Sequence, residues 1–274
     1  MVKEALYNYL LSETTALVAA HNKLALKPRD HAAVHEQRTG VKKLRAFFDL
    51  TDNIPGLKFK YGHYLNKVRM LQAIAGVARD AQLQTRALTA YEKPLSWRFG
   101  YAHLLLQEKQ AVAAALTVTA SKRLKLSSLK ELPKIFKEHL DAIPEQRLNT
   151  LLLTYIDDTY GGVTAPSTKA GHVEWHSLRK KMKNAYYQLT ILKDVLPPTS
   201  HYHKMLAFAK KAGELLGNWH DSSELYLFVQ ATIRKAKKEK LPLPVKAMQL
   251  LKILKQESQE RLALCALHFP GRIV

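Results

Sequence analysis

Apolar residues return every three or four positions along most of the chain, the period of a helix with one face turned inward. In the segment HAAVHEQRTGVKKLRAFF, residues 31–48, Val34, Val41, Leu44 and Phe48 form such a stripe. Trp175, Leu178, Met182, Ala185, Leu189 and Leu192 form another. The alternating β-branched runs that would mark strands are scarce. The pattern predicts helices over residues 3–25, 29–51, 61–91, 97–118 and 127–141, then 145–159, 169–194, 201–217, 219–239 and 244–267. Glycine and proline punctuate them, in NIPG at 53–56, TYGG at 159–162, LPPTS at 196–200 and LPLP at 241–244. The expected fold class is all-α.

With 47% of its 274 residues hydrophobic, the chain can bury a substantial core. The longest apolar run, AVAAALTV at 111–118, is far short of the ~20 residues that span a membrane. No membrane insertion is expected. The N-terminal stretch MVKEALYNYLLSETTALVAAH carries Glu4 and Glu13 and reads as an amphipathic helix, not a signal peptide. Cys265 is the one cysteine, which excludes an internal disulfide and suits a reducing, cytoplasmic setting.

Charge changes the picture most. Lys and Arg number 43 against 23 Asp and Glu, a net charge of +20 with histidine neutral. Such an excess points to polyanionic partners: nucleic acid, polyphosphate or an anionic membrane face.

The basic residues are not scattered. Residues 31–48 and 172–189 share the pattern H-x3-H-x2-R-x3-K, each residue of the second standing 141 positions after its counterpart in the first. The same ungapped offset carries Tyr61 onto Tyr202, Leu65 onto Leu206, Arg69 onto Lys210, Gly76 onto Gly217 and Asp80 onto Asp221. We read one domain over 1–274 made of two repeats, 1–141 and 142–274, with Pro144 opening the second. A repeat this long is a duplicated helical bundle, with about four long helices in each half.

On a helix, His31, His35, Arg38, Lys42 and Arg45 fall along one face, beside the apolar stripe. His172, His176, Arg179 and Lys183 repeat that face in the second half. Like charges one turn apart cost about 0.2–0.5 kcal/mol per pair on an exposed helix. An anion lying along the stripe, which at ~1.5 Å per residue runs ~21 Å, would offset that cost. Arg79 and His220 share a repeat position, each directly before the common aspartate, and are expected to add to the basic surface. Asp80 and Asp221 are expected to hold a cation of the stripe or cap a helix.

The stretches VHEQRTGVKKLRAFF, GVARDAQL, WHSLRKKMKNAYYQL and ELLGNWHDSSEL resemble the CHAD domain, the conserved histidine α-helical domain, over essentially the whole chain. The resemblance implies two four-helix bundles related by a pseudo-twofold axis. It also implies non-catalytic binding of inorganic polyphosphate in a basic groove or pore between them. It assigns phosphate contacts to His35, Arg38, Lys42, Lys43 and Arg45, and to His176, Arg179 and Lys183. Where the family usually has a further arginine this chain has Tyr186, and position 42 keeps charge as lysine without the bidentate fork. No triphosphate-tunnel domain fits beside it, which implies a CHAD domain standing alone. Association with polyphosphate granules follows as an expectation.

Other chemistries are set aside. His31/His35 and His172/His176 have chelating i, i+4 spacing, but Glu36 is followed by Gln37, Arg38 and Thr39, so the HExxH pattern is absent. Cationic neighbours disfavour a dication there. No metal site, cofactor or catalytic residue is read. Phosphate-binding loops, dinucleotide fingerprints and nucleophile elbows are missing, so no enzyme is expected. Nucleic-acid binding is the alternative, but the stripe is short of aromatics for stacking bases. Histidines titrating near neutrality predict tighter polyphosphate binding at pH ~6 than at pH ~8. Removing Arg38 or Arg179 is expected to weaken binding without unfolding the protein.

Overall fold

The computed structural model describes the chain apart from residues 28, 29, 58, 60, 125, 168, 198, 199 and 270–274, and apart from the side chains at 63, 67, 68, 71 and 121. Residue 29, where a predicted helix begins, and residues 198 and 199 of a predicted break lie outside the described residues. The described residues form helices without a strand. In chain order they are α1 (Val2–Leu26), α2 (His31–Thr51), α3 (Gly62–Glu92), α4 (Gly100–Arg123), α5 (Ser127–Asp141), α6 (Glu145–Tyr160), α7 (His172–Leu192), α8 (His201–Lys238) and α9 (Val245–His268). The all-α reading holds. Helices α2 and α7 are each 21 residues long, and their first residues stand 141 positions apart.

Helix α2 begins where Asp30 places Oδ1 at 3.0 Å from the amides of both Ala32 and Ala33, capping two free donors of the first turn. Its predicted apolar stripe is buried, with Val34 at 5% exposure and Val41, Leu44 and Phe48 at 0%. On α7 all six predicted apolar residues, from Trp175 to Leu192, are buried as well. Phe47 packs edge-on against Phe136 of α5, with centroids 5.1 Å apart, and Phe48 stacks on Tyr61 at 4.5 Å. Aromatic pairs in these arrangements add about 0.5–1.5 kcal/mol beyond the area they bury.

The prediction of two helices at 201–217 and 219–239 is corrected: α8 is one unbroken helix of 38 residues. Gly217 costs a helix interior only about 1 kcal/mol relative to alanine. Packing on both sides outweighs it. Leu216 and Trp219 lie in the main core, while Leu225, Val229 and Ile233 lie in a second one. Glycine is required elsewhere, at Gly56 in the NIPG turn, where φ is +96°.

The main core draws on α1, α2, α5, α6 and α7 together with the first part of α8, so it runs across residue 141 without a gap. The second core joins the far ends of two hairpins, α3–α4 and α8–α9. Between α3 and α4, buried Glu92 accepts the Phe99 amide at 2.7 Å and meets His103 Nε2 at 2.8 Å, fixing the turn between the two helices. No helix among the described residues is long and apolar enough to cross a membrane.

Candidate functional site

Helices α2 and α7 pack directly on each other, flanked by α3 and α8 respectively. Inside the contact, Gln188 Nε2 donates to the Ala46 carbonyl at 3.0 Å, and the Tyr160 hydroxyl donates to Gln188 Oε1 at 2.8 Å. This buried chain fixes the rotation of one helix against the other. The two basic stripes are thereby turned into one neighbourhood.

Lys42 senses that most directly. Its ammonium pKa is pushed down from 10.5 to about 8, first by burial and then by Arg38, Lys183 and Arg179, while Asp80 opposes the shift. That displacement corresponds to about 3 kcal/mol against the charged form. Burial also lowers Lys183, with Arg179 adding to it and Asp221 opposing. Arg179 is lowered by burial against the pull of Asp221, Asp80 and Glu224. Four partly buried cations from two helices thus lie within electrostatic reach of one another, with too little acid to neutralise them.

The two arginines are held differently. Arg38 Nη1 donates to the Gly76 carbonyl at 2.8 Å and lies 3.2 Å from Asp80 Oδ1. A Cβ on Gly76 would come within 3.0 Å of that Nη1, so glycine at 76 is what lets the guanidinium reach the α3 backbone. Asp80 holds a stripe cation, as expected from the sequence. Arg179 Nε, in contrast, is shielded from solvent and has no acceptor, and Arg79 Nε is in the same position. Buried donors normally find one, and each that does not costs about 1–3 kcal/mol.

The histidines divide by half. His31 and His35 are exposed on α2. His172 and His176 are half-buried on α7 beside α8, where the His176 ring lies 4.8 Å from His220 and the His172 ring 5.1 Å from Trp219. Burial first, then Arg179 and the neighbouring histidines, push His220 down to about 3. Burial, Lys180 and Arg179 lower His176 too. Both shifts run against the expectation that histidines drive a pH response between ~6 and ~8: His220 is neutral across that window in the unliganded protein, and His176 is shifted toward its neutral form. Lys42 is the group that titrates near that window.

A model of the CHAD domain family matches residues 10–230. The chain belongs to the CHAD family. The structure of PptA from Streptomyces chartreusis is similar, at a TM-score of 0.59 and 14% identity over 97% of both chains. So is the CHAD domain from the plant Ricinus communis, at a TM-score of 0.61 and 16% identity over 96% of this chain and 87% of that one. No curated protein sequence matches. The likeness to the two structures is one of fold. CHAD domains are non-catalytic and associated with polyanions, which agrees with the charge of this chain.

Within this CHAD domain, Arg38, Lys42, Arg179 and Lys183 come together, with His176 and His220 alongside. Arg79 lies on α3 next to Asp80, its Nη1 donating to Gln82 at 2.6 Å. Two expected residues are directed elsewhere. Lys43 is rotated ~100° around the helix from Lys42 and pairs with Glu13 of α1 at 2.7 Å. Arg45 is exposed, toward the Asp49 end of α2, where it and Arg69 lower that carboxyl against its burial. Tyr187 escaped the sequence reading because it bears no charge. It lies close enough to Arg179 for the cation to oppose the rise that burial gives its phenol. A groove of about 760 Å³ elsewhere on the protein is apolar and contains none of these cations; Val77, Val112, Leu116 and Phe228 line it.

Proposed function

We propose that the protein binds inorganic polyphosphate, without turning it over, along the pocket where α2 and α7 meet. Arg38, Lys42, Arg179 and Lys183 take successive phosphates, and His176, His220 and Arg79 border them. His31, His35 and His172 extend the path along the two stripes. The observation that carries this reading is the convergence of four cations against their own repulsion, with the Arg179 Nε donor lacking an acceptor. A thin chain with a charge on every phosphorus supplies both the counter-charge and the acceptor. The halves 1–141 and 142–274 are, in the same reading, duplicated bundles about a pseudo-twofold axis, supported by the 141-residue offset between α2 and α7. The protein would then act in the cytoplasm, at polyphosphate granules.

The alternative is nucleic acid. The rings bordering the pocket, His172, His176, Trp219 and His220, pack against one another, which leaves them poorly placed to take bases. Titration calorimetry at matched ionic strength, comparing long-chain polyphosphate with single-stranded RNA of equal total charge, separates the two. Polyphosphate is expected to bind at least tenfold more tightly. Equal affinities would mean that net charge alone operates, and the pocket reading would fall.

The direction of the pH response follows from Lys42. Below about pH 8 its ammonium is already charged, and above it a bound anion must draw in a proton. Affinity for polyphosphate is expected to fall as pH rises through about 8, with net proton uptake on binding. Lys42→Arg, which keeps the charge, should flatten that profile. A profile that Lys42→Arg leaves unchanged assigns the proton elsewhere.

A further inference from the structure

On α8, His220 and Glu224 stand one turn apart and leave the same face of the helix. His172, the first residue of α7, meets that face from the neighbouring helix. Its Nε2 lies 3.6 Å from Glu224 Oε1, and one ligating atom from each of the three residues falls within 4.8 Å of the others. The surrounding rings limit their movement: His172 packs against Trp219, and His176 lies 4.8 Å from His220. His172 Nε2 and His220 Nδ1 are both shielded from solvent and have no hydrogen-bond partner. Two imidazoles and a carboxylate thus converge on a point where two nitrogens are left unused.

The geometry points to a binding site for one transition-metal ion of the zinc type, held by His172, His220 and Glu224. Two imidazoles and one carboxylate suit Zn²⁺, Co²⁺ or Ni²⁺ and discriminate against Mg²⁺ and Ca²⁺, which take oxygen donors. Bonds of ~2.1 Å in a tetrahedral site separate the ligand atoms by ~3.4 Å. The His172–Glu224 separation of 3.6 Å already fits. A donor at the 4.8 Å limit has to close by about 1.4 Å, within reach of side-chain rotation with both helices left in place. Three protein ligands leave one position for water. Arg179 acts on His220 and so opposes a dication there, but Asp221, Asp80 and Glu224 itself lie close enough to act on the Arg179 charge in the opposite sense. Local sequence spacing could not show this site, because its donors come from two helices that are adjacent only in the fold. It shares His172 and His220 with the edge of the proposed polyphosphate path, so it is tested without that anion.

The test uses the full-length protein, stripped with a chelator and titrated with Co²⁺ and then Zn²⁺ in phosphate-free buffer. One saturable equivalent is expected, with a visible Co²⁺ band of low-coordinate geometry that Zn²⁺ displaces and excess Mg²⁺ does not. Glu224→Gln and His220→Ala should each weaken binding at least tenfold, with circular dichroism showing the fold intact. Should His220→Ala fold poorly, Glu224→Gln carries the comparison, since it preserves shape at a half-exposed position. Wild-type affinity in Glu224→Gln would overturn the site. So would binding that disappears in His35→Ala, which would assign the ion to the exposed His31/His35 pair on α2.

Discussion

Arg179→Ala is expected to lower polyphosphate affinity by a factor of at least thirty while leaving the unliganded protein as heat-stable as before, or more so. Truncating one partner of a buried, charge-assisted contact costs roughly 2–5 kcal/mol of binding. In the free protein Arg179 donates nothing through Nε, and its charge pushes down both Lys42 and Lys183. Its removal relieves that repulsion. Arg38→Ala should behave differently, because it gives up the 2.8 Å bond to the Gly76 carbonyl and the ion pair with Asp80. Affinity and Tm should fall together there, with the protein still folded. Calorimetric binding and thermal melting of the two variants side by side decide the matter. A lowered Tm in Arg179→Ala would make that residue structural.

The largest loss of stability is expected far from the pocket. Glu92 is 4% exposed and His103 6%, and the carboxylate serves both the Phe99 amide and the imidazole. Glu92→Ala removes both bonds at once and leaves a buried amide and a buried imidazole without partners. Each buried polar group left unpaired costs about 1–3 kcal/mol. At ~2–4 °C per kcal/mol for a protein of this size, Tm should fall by about 10 °C. Polyphosphate binding at a temperature where the variant is folded should be unchanged. A drop of less than about 2 °C would show that solvent reaches the pair and replaces it.

What the sequence made legible was local. The face shared by Arg38 and Lys42 follows from helical period alone, as does the burial of Val41 and Leu44 beside it. The repeat offset directed attention to Arg179 and Lys183 without any structure. Contacts between distant segments were harder. Nothing near Lys43 announces Glu13, thirty residues earlier on α1, so a charge count along α2 includes a lysine that the fold uses for packing. Position 45 sits on the correct face, yet Asp49, one turn further, ends the basic stretch. The continuity of α8 was missed for a related reason: Gly217 and Asn218 are poor helix formers, and only the two cores beneath the helix overrule them. Burial escaped prediction too. Histidine spacing suggested titration near neutrality, whereas His220 is held down to about 3 by the desolvation that comes with its place between α7 and α8.

That long helix has a mechanical consequence. With 38 residues at ~1.5 Å each, α8 is a rod of ~57 Å anchored at Leu216 and Trp219 in one core and at Val229 and Ile233 in the other. His220 and Glu224 lie on the span between those anchorages. Bending or fraying that starts in the distal hairpins must travel along the rod to the wall of the cationic pocket. A load clamped at that wall stiffens the rod in return. The distal core is thus a counterweight to the pocket, and slack in one end is felt as slack in the other.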